Sequence, residues 1–124
     1  MITGIGIDMI EVARVAKRIT KENGFKEKVF SANEIAFCES NKNKAQHYAA
    51  RFAAKEAFLK AAGAGLTLSY ELHEIEIIKD SLGKPYIQLK GILKKMAKKK
   101  RWSNIQLSLT HLRSLACAIV IIEE

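Results

Sequence analysis

The sequence predicts an α+β domain in which an antiparallel sheet packs on one long, buried helix. Residues 45–62, AQHYAARFAAKEAFLKAA, have helical composition and are apolar over nearly the whole circumference, which is typical of a helix at the centre of a fold. Flanking segments instead alternate apolar and polar residues, as half-buried strands do. The predicted order is a strand, three helices, a β-hairpin, a helix and a second β-hairpin, which favours an α+β architecture.

Length and composition indicate that residues 1–124 form a single domain. Of the 124 residues 48% are hydrophobic, enough to bury a core, and one proline and seven glycines leave no candidate linker. The formal net charge of +8 indicates an anionic partner. Charge alone does not distinguish a nucleic acid from a phosphorylated metabolite or an acidic protein.

The sequence favours a cytoplasmic protein without a membrane partner. Its longest apolar stretch, residues 115–122, is too short to cross a bilayer, and the N-terminus lacks a basic segment followed by an apolar run. Cys38 and Cys117 lack metal-ligand spacing. We expect both to be reduced thiols that pack as small hydrophobic residues.

The first predicted strand, residues 2–8, alternates glycine with isoleucine, which is typical of a backbone that another element approaches closely. Asp8 is expected at its end. Residues 9–23 then predict an amphipathic helix that Gly24 terminates. Its outer face carries a basic stripe without an acid: Arg14, Lys17, Arg18 and Lys21. Such a stripe is either a solvated helix face or a surface for an acidic partner.

The next helix is predicted from a capping box formed by Ser31 and Glu34. In the long helix that follows, Glu56 and Lys60 lie on the same face as apolar residues, at about 100° per residue. Burying such charges costs several kcal/mol each unless they are paired or meet a ligand. Two interpretations are open: an internal salt bridge four residues apart, or a functional site.

In the second half, Ile75 and Ile77 alternate with glutamates, and Ile87 and Leu89 mark a partner strand across the turn at 80–85. Another amphipathic helix is predicted at 91–101, GILKKMAKKKR, with its basic side chains outward. A final hairpin is then expected. Its first strand places His111 on the same face as three apolar residues, and its second strand, 115–122, is fully apolar.

Asp8 and Glu56 are two carboxylates on separate elements, a pair that suits magnesium, because this hard cation prefers oxygen ligands and completes its shell with water or substrate phosphates. Lys60, one turn beyond Glu56, would neutralise such a phosphate. His111 is by default a core or capping histidine, although its position also suits a hydrogen bond to phosphate or a proton transfer.

The motifs that surround these residues are more specific than the residues themselves. GIGID at 4–8 is followed by Arg14, then by RFAAKEAFLKA at 51–61, GKP at 83–85 and SLTH at 108–111. In their order and spacing, over residues 1 to about 120, these motifs closely resemble holo-acyl-carrier-protein synthase, the small bacterial class of 4′-phosphopantetheinyl transferases. The central FxxKExxxK pattern is the most specific of them.

The resemblance implies a magnesium-dependent enzyme of fatty acid biosynthesis. Such enzymes transfer the 4′-phosphopantetheine arm of coenzyme A to a serine of apo-acyl carrier protein and release adenosine 3′,5′-bisphosphate. By this resemblance, Asp8 and Glu56 would hold magnesium on the coenzyme A pyrophosphate. Lys60 would stabilise the charge that develops on the transferred phosphoryl group.

The resemblance also implies which residues contact coenzyme A and which contact the carrier protein. Contacts on the nucleotide side would come from Arg51, Lys84, Pro85 and His111, and the turn with Gly63 and Gly65 would bring backbone close to the ligand. The basic stripe would orient the acidic carrier protein. Family members are typically trimers with sites between subunits. One departure, LRSLA at 112–116, puts in doubt a tyrosine contact that relatives make there.

Two other functions compete with this reading. A small nucleic-acid-binding module would use the basic segment that contains Lys94, Lys95, Lys98, Lys99, Lys100 and Arg101. Only one aromatic residue, Trp102, adjoins that segment, and Asp8 and Glu56 would stay unexplained, so nucleic acid is not expected as a partner. A non-catalytic subunit that binds carrier protein would need the basic stripe but no metal.

Overall fold

The structure is a computed structural model that describes residues 1–63 and 70–124. Within these residues a 3-10 turn at Leu72–Glu74 precedes the first hairpin. The strands are β1 (Ile2–Glu11), β2 (Ile75–Lys79), β3 (Pro85–Leu89), β4 (Asn104–His111) and β5 (Leu115–Glu123). The helices are α1 (Val12–Ile19), α2 (Phe25–Val29), α3 (Ala32–Glu39), α4 (Lys44–Ala62) and α5 (Gly91–Lys99).

The strands form two antiparallel sheets. The larger sheet has the order β1-β5-β4, so the fully apolar strand β5 lies at its centre. Its register pairs Asp8 with Ala118 and Leu107 with Val120. The smaller sheet consists of β2 and β3. The predicted α+β class, with an antiparallel sheet packed on a long helix, is confirmed.

The long helix α4 packs against β1 and β5. Its small buried residues, such as Ala53 and Ala57, let the sheet approach the helix backbone. The approach is closest at the glycines of β1: a Cβ atom on Gly6 would lie 2.0 Å from the carbonyl oxygen of Ala57. A Cβ atom on Gly4 would lie equally close to the carbonyl oxygen of Ala61, at 2.0 Å. The expected close approach to the first strand is therefore confirmed, and α4 is the neighbour.

The first strand is longer than the sequence predicts, and the following helix is shorter. Because Met9 and Glu11 pair with β5, the strand continues past Asp8, which lies within it rather than at its end. The helix α1 therefore begins at Val12 and ends at Ile19. Gly24, expected to terminate that helix, has a φ of 83° and instead precedes the short helix α2, which the sequence analysis did not predict.

Other local predictions are confirmed. Ser31 and Glu34 form the capping box of α3, with the Ser31 hydroxyl accepting from the Glu34 backbone and the Glu34 carboxylate accepting from the Ser31 backbone. Both cysteines are free, and burial raises the pKa of the Cys38 thiol to about 12, which makes it an inert packing group. None of the helices in the described ranges is long and apolar enough to cross a bilayer.

Candidate active site between the long helix and the first strand

The three residues proposed for catalysis meet where α4 crosses β1. Asp8 lies on the face of β1 that looks toward α4, and Lys60 reaches across from the helix. The Lys60 ammonium group donates to Asp8 Oδ1 at 3.0 Å and to the carbonyl oxygen of Ile7 at 3.0 Å. The ion pair thus joins two elements. Within the described residues Lys60 forms no ion pair with Glu56, so the internal helix salt bridge is not what the structure shows.

Glu56 lies beside this pair and carries a charge that the fold disfavours. It is half-buried, and burial raises the pKa of its carboxyl group, with the negative charge of Asp8 adding to the effect. The positive charge of Lys60 acts in the opposite direction. Two carboxylates held close to each other in this way attract a cation.

The two carboxylates suit a magnesium ion that takes only some of its ligands from the protein. Asp8 and Glu56 supply hard carboxylate oxygens, and the described ranges contain no cluster of three or more His, Cys, Asp or Glu residues that could hold a metal by itself. Magnesium is commonly bound by one or two carboxylates together with water and substrate phosphates. The site therefore suits an ion that arrives with, or is completed by, a phosphate ligand.

A second group of residues surrounds Arg51, on α4 nearer its N-terminus. Arg51 is only 3% exposed, and its guanidinium carbon lies 4.2 Å from the centre of the Phe37 ring. One of its terminal nitrogens donates to the carbonyl oxygen of His47 at 3.4 Å, while its Nε has no hydrogen-bond partner in the described part of the chain. A buried guanidinium with an unused donor is a candidate site for an anion.

Further basic side chains converge on Arg51. The His47 ring lies between Phe37, at 5.3 Å, and His111, at 6.0 Å between ring centres. Burial lowers the pKa of His47, and the positive charges of Arg51, His111 and Lys79 lower it further. Lys79, at the end of β2, places its ammonium group 4.7 Å from the Phe37 ring centre. We call Arg51, His47, His111 and Lys79 the cationic cluster.

The cationic cluster contains two residues that the sequence analysis missed. His47 stands four residues before Arg51 on the same helix, so its position on the same face was a usable signal. Lys79 gave no such signal, because its approach to Phe37 depends on how the β2–β3 hairpin packs. Arg51 and His111, both expected on the nucleotide side, each lie near His47.

The remaining ligand-side residues are more scattered. Lys84 and Pro85 lie at the turn of the β2–β3 hairpin, where Asp80 Oδ1 accepts from the backbone of Lys84 at 2.9 Å. The register pairs Pro85 with Lys79, so this end of the hairpin adjoins the cationic cluster. Gly63 ends α4 with a φ of 87°, a conformation that favours glycine. Gly65 lies outside the described residues.

The basic stripe expected to bind carrier protein is exposed. Arg14, Lys17 and Arg18 lie on α1, and no residue in the described ranges forms a salt bridge with any of them. Lys21 is exposed as well, but it follows the end of α1 rather than continuing its outer face as predicted, because the helix stops at Ile19. The Thr20 hydroxyl donates to the carbonyl oxygen of Lys17 at 2.8 Å there, which competes with helix continuation.

The chain is similar to one known protein family along nearly its whole length. A family model described as the 4′-phosphopantetheinyl transferase superfamily matches residues 4–120. The chain is 46% identical to the holo-[acyl-carrier-protein] synthase of Cytophaga hutchinsonii, over 98% of this chain and 97% of that protein. It is 50% identical to the synthase of the same name from Ruminiclostridium cellulolyticum, over 95% and 90% of the two chains.

Solved structures show the same likeness. The holo-[acyl-carrier-protein] synthase of Neisseria meningitidis superimposes with a TM-score of 0.90 at 30% identity and full coverage of both chains. The Helicobacter pylori enzyme in complex with coenzyme A gives a TM-score of 0.82 at 29% identity, over 96% of this chain and 99% of that one. With a family match over nearly its whole length and relatives at these identities, the chain belongs to the 4′-phosphopantetheinyl transferase superfamily.

Proposed function

We propose that this chain is a holo-[acyl-carrier-protein] synthase. It transfers the 4′-phosphopantetheine group of coenzyme A to a serine of apo-acyl carrier protein and releases adenosine 3′,5′-bisphosphate. The observation that carries the proposal is the meeting of Asp8, Glu56 and Lys60 between β1 and α4 in a chain of this family. A relative from Bacillus anthracis that was solved in complex with coenzyme A supports the choice of substrate.

In this reaction the serine oxygen forms a bond to the phosphorus of the phosphopantetheine arm and gives up its proton to water. The bond from that phosphorus to the bridging oxygen breaks, and this oxygen leaves with adenosine 3′,5′-bisphosphate. Asp8 and Glu56 would hold magnesium, which when bound supplies Lewis-acid neutralisation of the pyrophosphate oxygens. Lys60 would release Asp8 and turn its ammonium group to the phosphate, since its side chain is 57% exposed and free to move. Charge stabilisation of this kind provides most of the catalysis of phosphoryl transfer.

The cationic cluster would bind the nucleotide end of coenzyme A. It brings Arg51, His47, His111 and Lys79 together, and Arg51 keeps an unused donor within the described residues. An anionic phosphate would pair with the charges of Arg51 and Lys79 and accept hydrogen bonds from the imidazole N–H groups. Lys84, Pro85 and Gly63 complete the proposed ligand side.

The basic stripe of Arg14, Lys17, Arg18 and Lys21 would orient the carrier protein. Acyl carrier proteins are acidic, and complementary charge across an interface raises the association rate and fixes the register. The four side chains are exposed and carry no intramolecular salt bridge in the described ranges. They are therefore available to a partner.

The assembly would be a homotrimer, formed through the outer face of the larger sheet. On β1 the outward side chains are apolar and exposed: Ile5 is 64%, Ile7 is 58% and Met9 is 62% exposed. Ile119 and Ile121 of the central strand extend this apolar face. A contiguous apolar surface on a sheet is a docking surface for another subunit.

We further propose that the enzyme acts in the cytoplasm and that its reaction belongs to fatty acid biosynthesis.

The proposal is tested by intact-mass measurement of an apo-acyl carrier protein incubated with this protein, coenzyme A and magnesium. Gain of one phosphopantetheine group is expected, with equimolar release of adenosine 3′,5′-bisphosphate. A carrier protein with the acceptor serine changed to alanine is the control and should keep its mass. An unchanged mass of the wild-type carrier would favour a non-catalytic binding subunit, and retention of the protein on nucleic acid at physiological salt would favour the binding module.

A further inference from the structure

Lys55 is a fully buried lysine to which neither the sequence analysis nor the proposed reaction assigns a role. Its ammonium group donates to Glu34 Oε1 at 2.8 Å, to the carbonyl oxygen of Leu72 at 3.1 Å and to that of Ile75 at 2.6 Å. An ammonium group has three hydrogens, so each of them has an acceptor. Such complete pairing is what a charge with no solvent exposure requires.

The carboxylate of Glu34 extends the same network. Its Oε1 also accepts from the Ser31 backbone at 2.9 Å, and its Oε2 accepts from the backbone N–H of Ile77 at 3.1 Å. Lys55 and Glu34 therefore hold three backbone groups around the start of β2: the carbonyl oxygens of Leu72 and Ile75 and the N–H of Ile77. We call this arrangement the Lys55 clamp.

The Lys55 clamp is one of several contacts that fasten the β2–β3 hairpin. The strands of the hairpin pair only with each other in the described part of the chain, so the hairpin is held by side chains: Ile75, Ile77 and Ile87 pack in the core, Glu76 accepts from the Ser31 hydroxyl, and the clamp binds the backbone of β2. The hairpin nevertheless carries three residues of the proposed ligand side, Lys79, Lys84 and Pro85. The position of these residues relative to Arg51 is set by whatever holds β2 to α3 and α4.

We propose that Lys55 is a positioning residue for coenzyme A: the Lys55 clamp sets the distance between the β2–β3 hairpin and the long helix, and thereby shapes the nucleotide side of the site. Lys55 itself touches no substrate. This inference rests on the proposed function, because it assigns the hairpin to the coenzyme A site. It separates the role of Lys55 from that of its neighbour Glu56, although both belong to one sequence motif.

The test compares Lys55→Met with the double variant Lys55→Met/Glu34→Gln. The single variant leaves the Glu34 charge buried without its partner and should melt well below the wild type. The double variant removes that charge and should recover part of the melting temperature, but the glutamine NH2 group cannot accept from a backbone N–H as the second carboxylate oxygen does, and the carbonyl oxygens of Leu72 and Ile75 still lack their donor. In both variants KM for coenzyme A should rise about tenfold or more, while KM for the carrier protein changes by less than about twofold.

A matched control is Lys90→Met. Lys90 lies 2.9 Å from the buried carboxylate of Glu76, also on β2, but its removal leaves all three backbone contacts of the Lys55 clamp. We expect it to leave KM for coenzyme A unchanged, whatever it does to the melting temperature. Calorimetric titration with adenosine 3′,5′-bisphosphate gives the same comparison without turnover and should show about tenfold weaker binding in the two clamp variants only.

Three outcomes would overturn the inference. A double variant that regains both the melting temperature and KM for coenzyme A would make the pair a purely structural one. A double variant that does not fold would show that the clamp is needed for folding rather than for positioning. A wild-type protein that neither binds the bisphosphate nor modifies the carrier would remove the proposed function, and with it the premise.

Discussion

At the residue scale, Glu56 and Lys60 behave differently although one turn of helix separates them. Glu56 is half-buried beside another carboxylate, so its ionised form is disfavoured until a cation arrives. Lys60 is more than half exposed and pairs with Asp8 on another element. Because its Lys60 end is open to water while Asp8 is 18% exposed, the pair contributes less to stability than a fully buried one. We propose that the charges at this site serve ligand binding more than folding.

Replacing Glu56 by glutamine should stabilise the metal-free protein in a pH-dependent way. Folding raises the pKa of Glu56, so the stability it contributes is fully present below the ordinary value of 4.5 and is lost as the pH rises through the raised value. Glutamine does not titrate. The melting temperature of Glu56→Gln should thus exceed that of the wild type increasingly between acidic and neutral pH. Added magnesium should shrink the difference; a difference independent of pH would contradict the assignment.

Replacing Lys60 by methionine separates the roles of ion pair and catalyst. The pair with Asp8 is open to water at its Lys60 end only, so its loss should cost about 1 to 2 kcal/mol, below the roughly 3 to 5 kcal/mol of a fully buried pair, and should lower the melting temperature moderately. Turnover should fall by roughly two orders of magnitude or more, since the lost charge acts on the phosphoryl oxygens as their charge develops. Lys98→Met, on the exposed face of α5, is the control and should preserve both quantities. Early melting with normal turnover at low temperature would return Lys60 to a structural role.

At the element scale, the contact between β1 and α4 positions the residues proposed for catalysis. Gly4 and Gly6 let the strand backbone lie against the carbonyl oxygens of Ala61 and Ala57. This contact is what brings Asp8 within reach of Lys60. The glycines that precede Asp8 in the sequence motif therefore support the candidate site by letting the backbone of β1 lie close to α4, not by contacting a ligand.

Gly6→Ala should destabilise the fold and disable the site together. The added methyl group would lie 2.0 Å from the carbonyl oxygen of Ala57, so the strand must move away from the helix. We expect a loss of about 3 kcal/mol or more in the free energy of unfolding, measured by denaturant titration. Ala57→Gly should not rescue it, because the obstructing atom belongs to the backbone. Rescue by that second change would show that side-chain crowding is the cause.

Reversing the charge of α1 with Arg14→Glu and Arg18→Glu should raise KM for the carrier protein and leave KM for coenzyme A nearly unchanged. Increasing salt should weaken the wild type in the same direction. Lys94→Glu with Lys98→Glu changes the net charge equally on the exposed face of α5 and is the matched control. Equal effects of the two double variants would mean that overall charge, rather than this surface, attracts the carrier.

Elements with strong periodicity could be predicted from the sequence, while features that depend on tertiary contact could not. The long helix and both hairpins follow from apolar spacing. The last residues of β1 were assigned to a helix, because only their pairing with β5 makes them a strand. The five-residue helix α2 is too short to give a periodic signal.

The same distinction holds for the candidate site. The residue types at Asp8, Glu56 and Lys60 pointed to magnesium and phosphate, but the ion pair between Asp8 and Lys60 joins residues 52 positions apart. Sequence spacing favours Glu56, four residues away, as the ion-pair partner of Lys60, whereas in the structure the partner is Asp8. Lys55 belongs to the most specific sequence motif, but the sequence did not indicate that it is buried or that Glu34, 21 residues away, is its partner.

At the scale of the whole molecule, residues 1–63 and 70–124 cover the larger sheet on one face only. The helix α4 packs on the inner face, while Ile5, Ile7 and Met9 leave the outer face of β1 apolar and exposed. An exposed apolar face of this kind favours association with another copy of the chain. The proposed trimer would bury it and bring the basic stripe of one subunit toward the site of the next.

Ile5→Lys should therefore convert the trimer into monomers, as measured by sedimentation, because it places a charge in the proposed interface. The rate of carrier modification should fall with the loss of association, while the melting transition stays cooperative. Ile92→Lys, the same change at a 40% exposed position of α5 away from that sheet face, is the control and should remain trimeric. A wild-type protein that sediments as a monomer at micromolar concentration would contradict the proposed assembly.

The central claim is that Asp8 and Glu56 together hold the magnesium ion needed for transfer. Its most direct test is the intact mass of the carrier protein, followed over time at several magnesium concentrations for the wild type, Asp8→Asn and Glu56→Gln. We expect full conversion by the wild type, with a rate that rises with magnesium, and loss of most conversion by either variant at limiting magnesium despite intact folding. Near wild-type rates for either variant under these conditions would contradict the account.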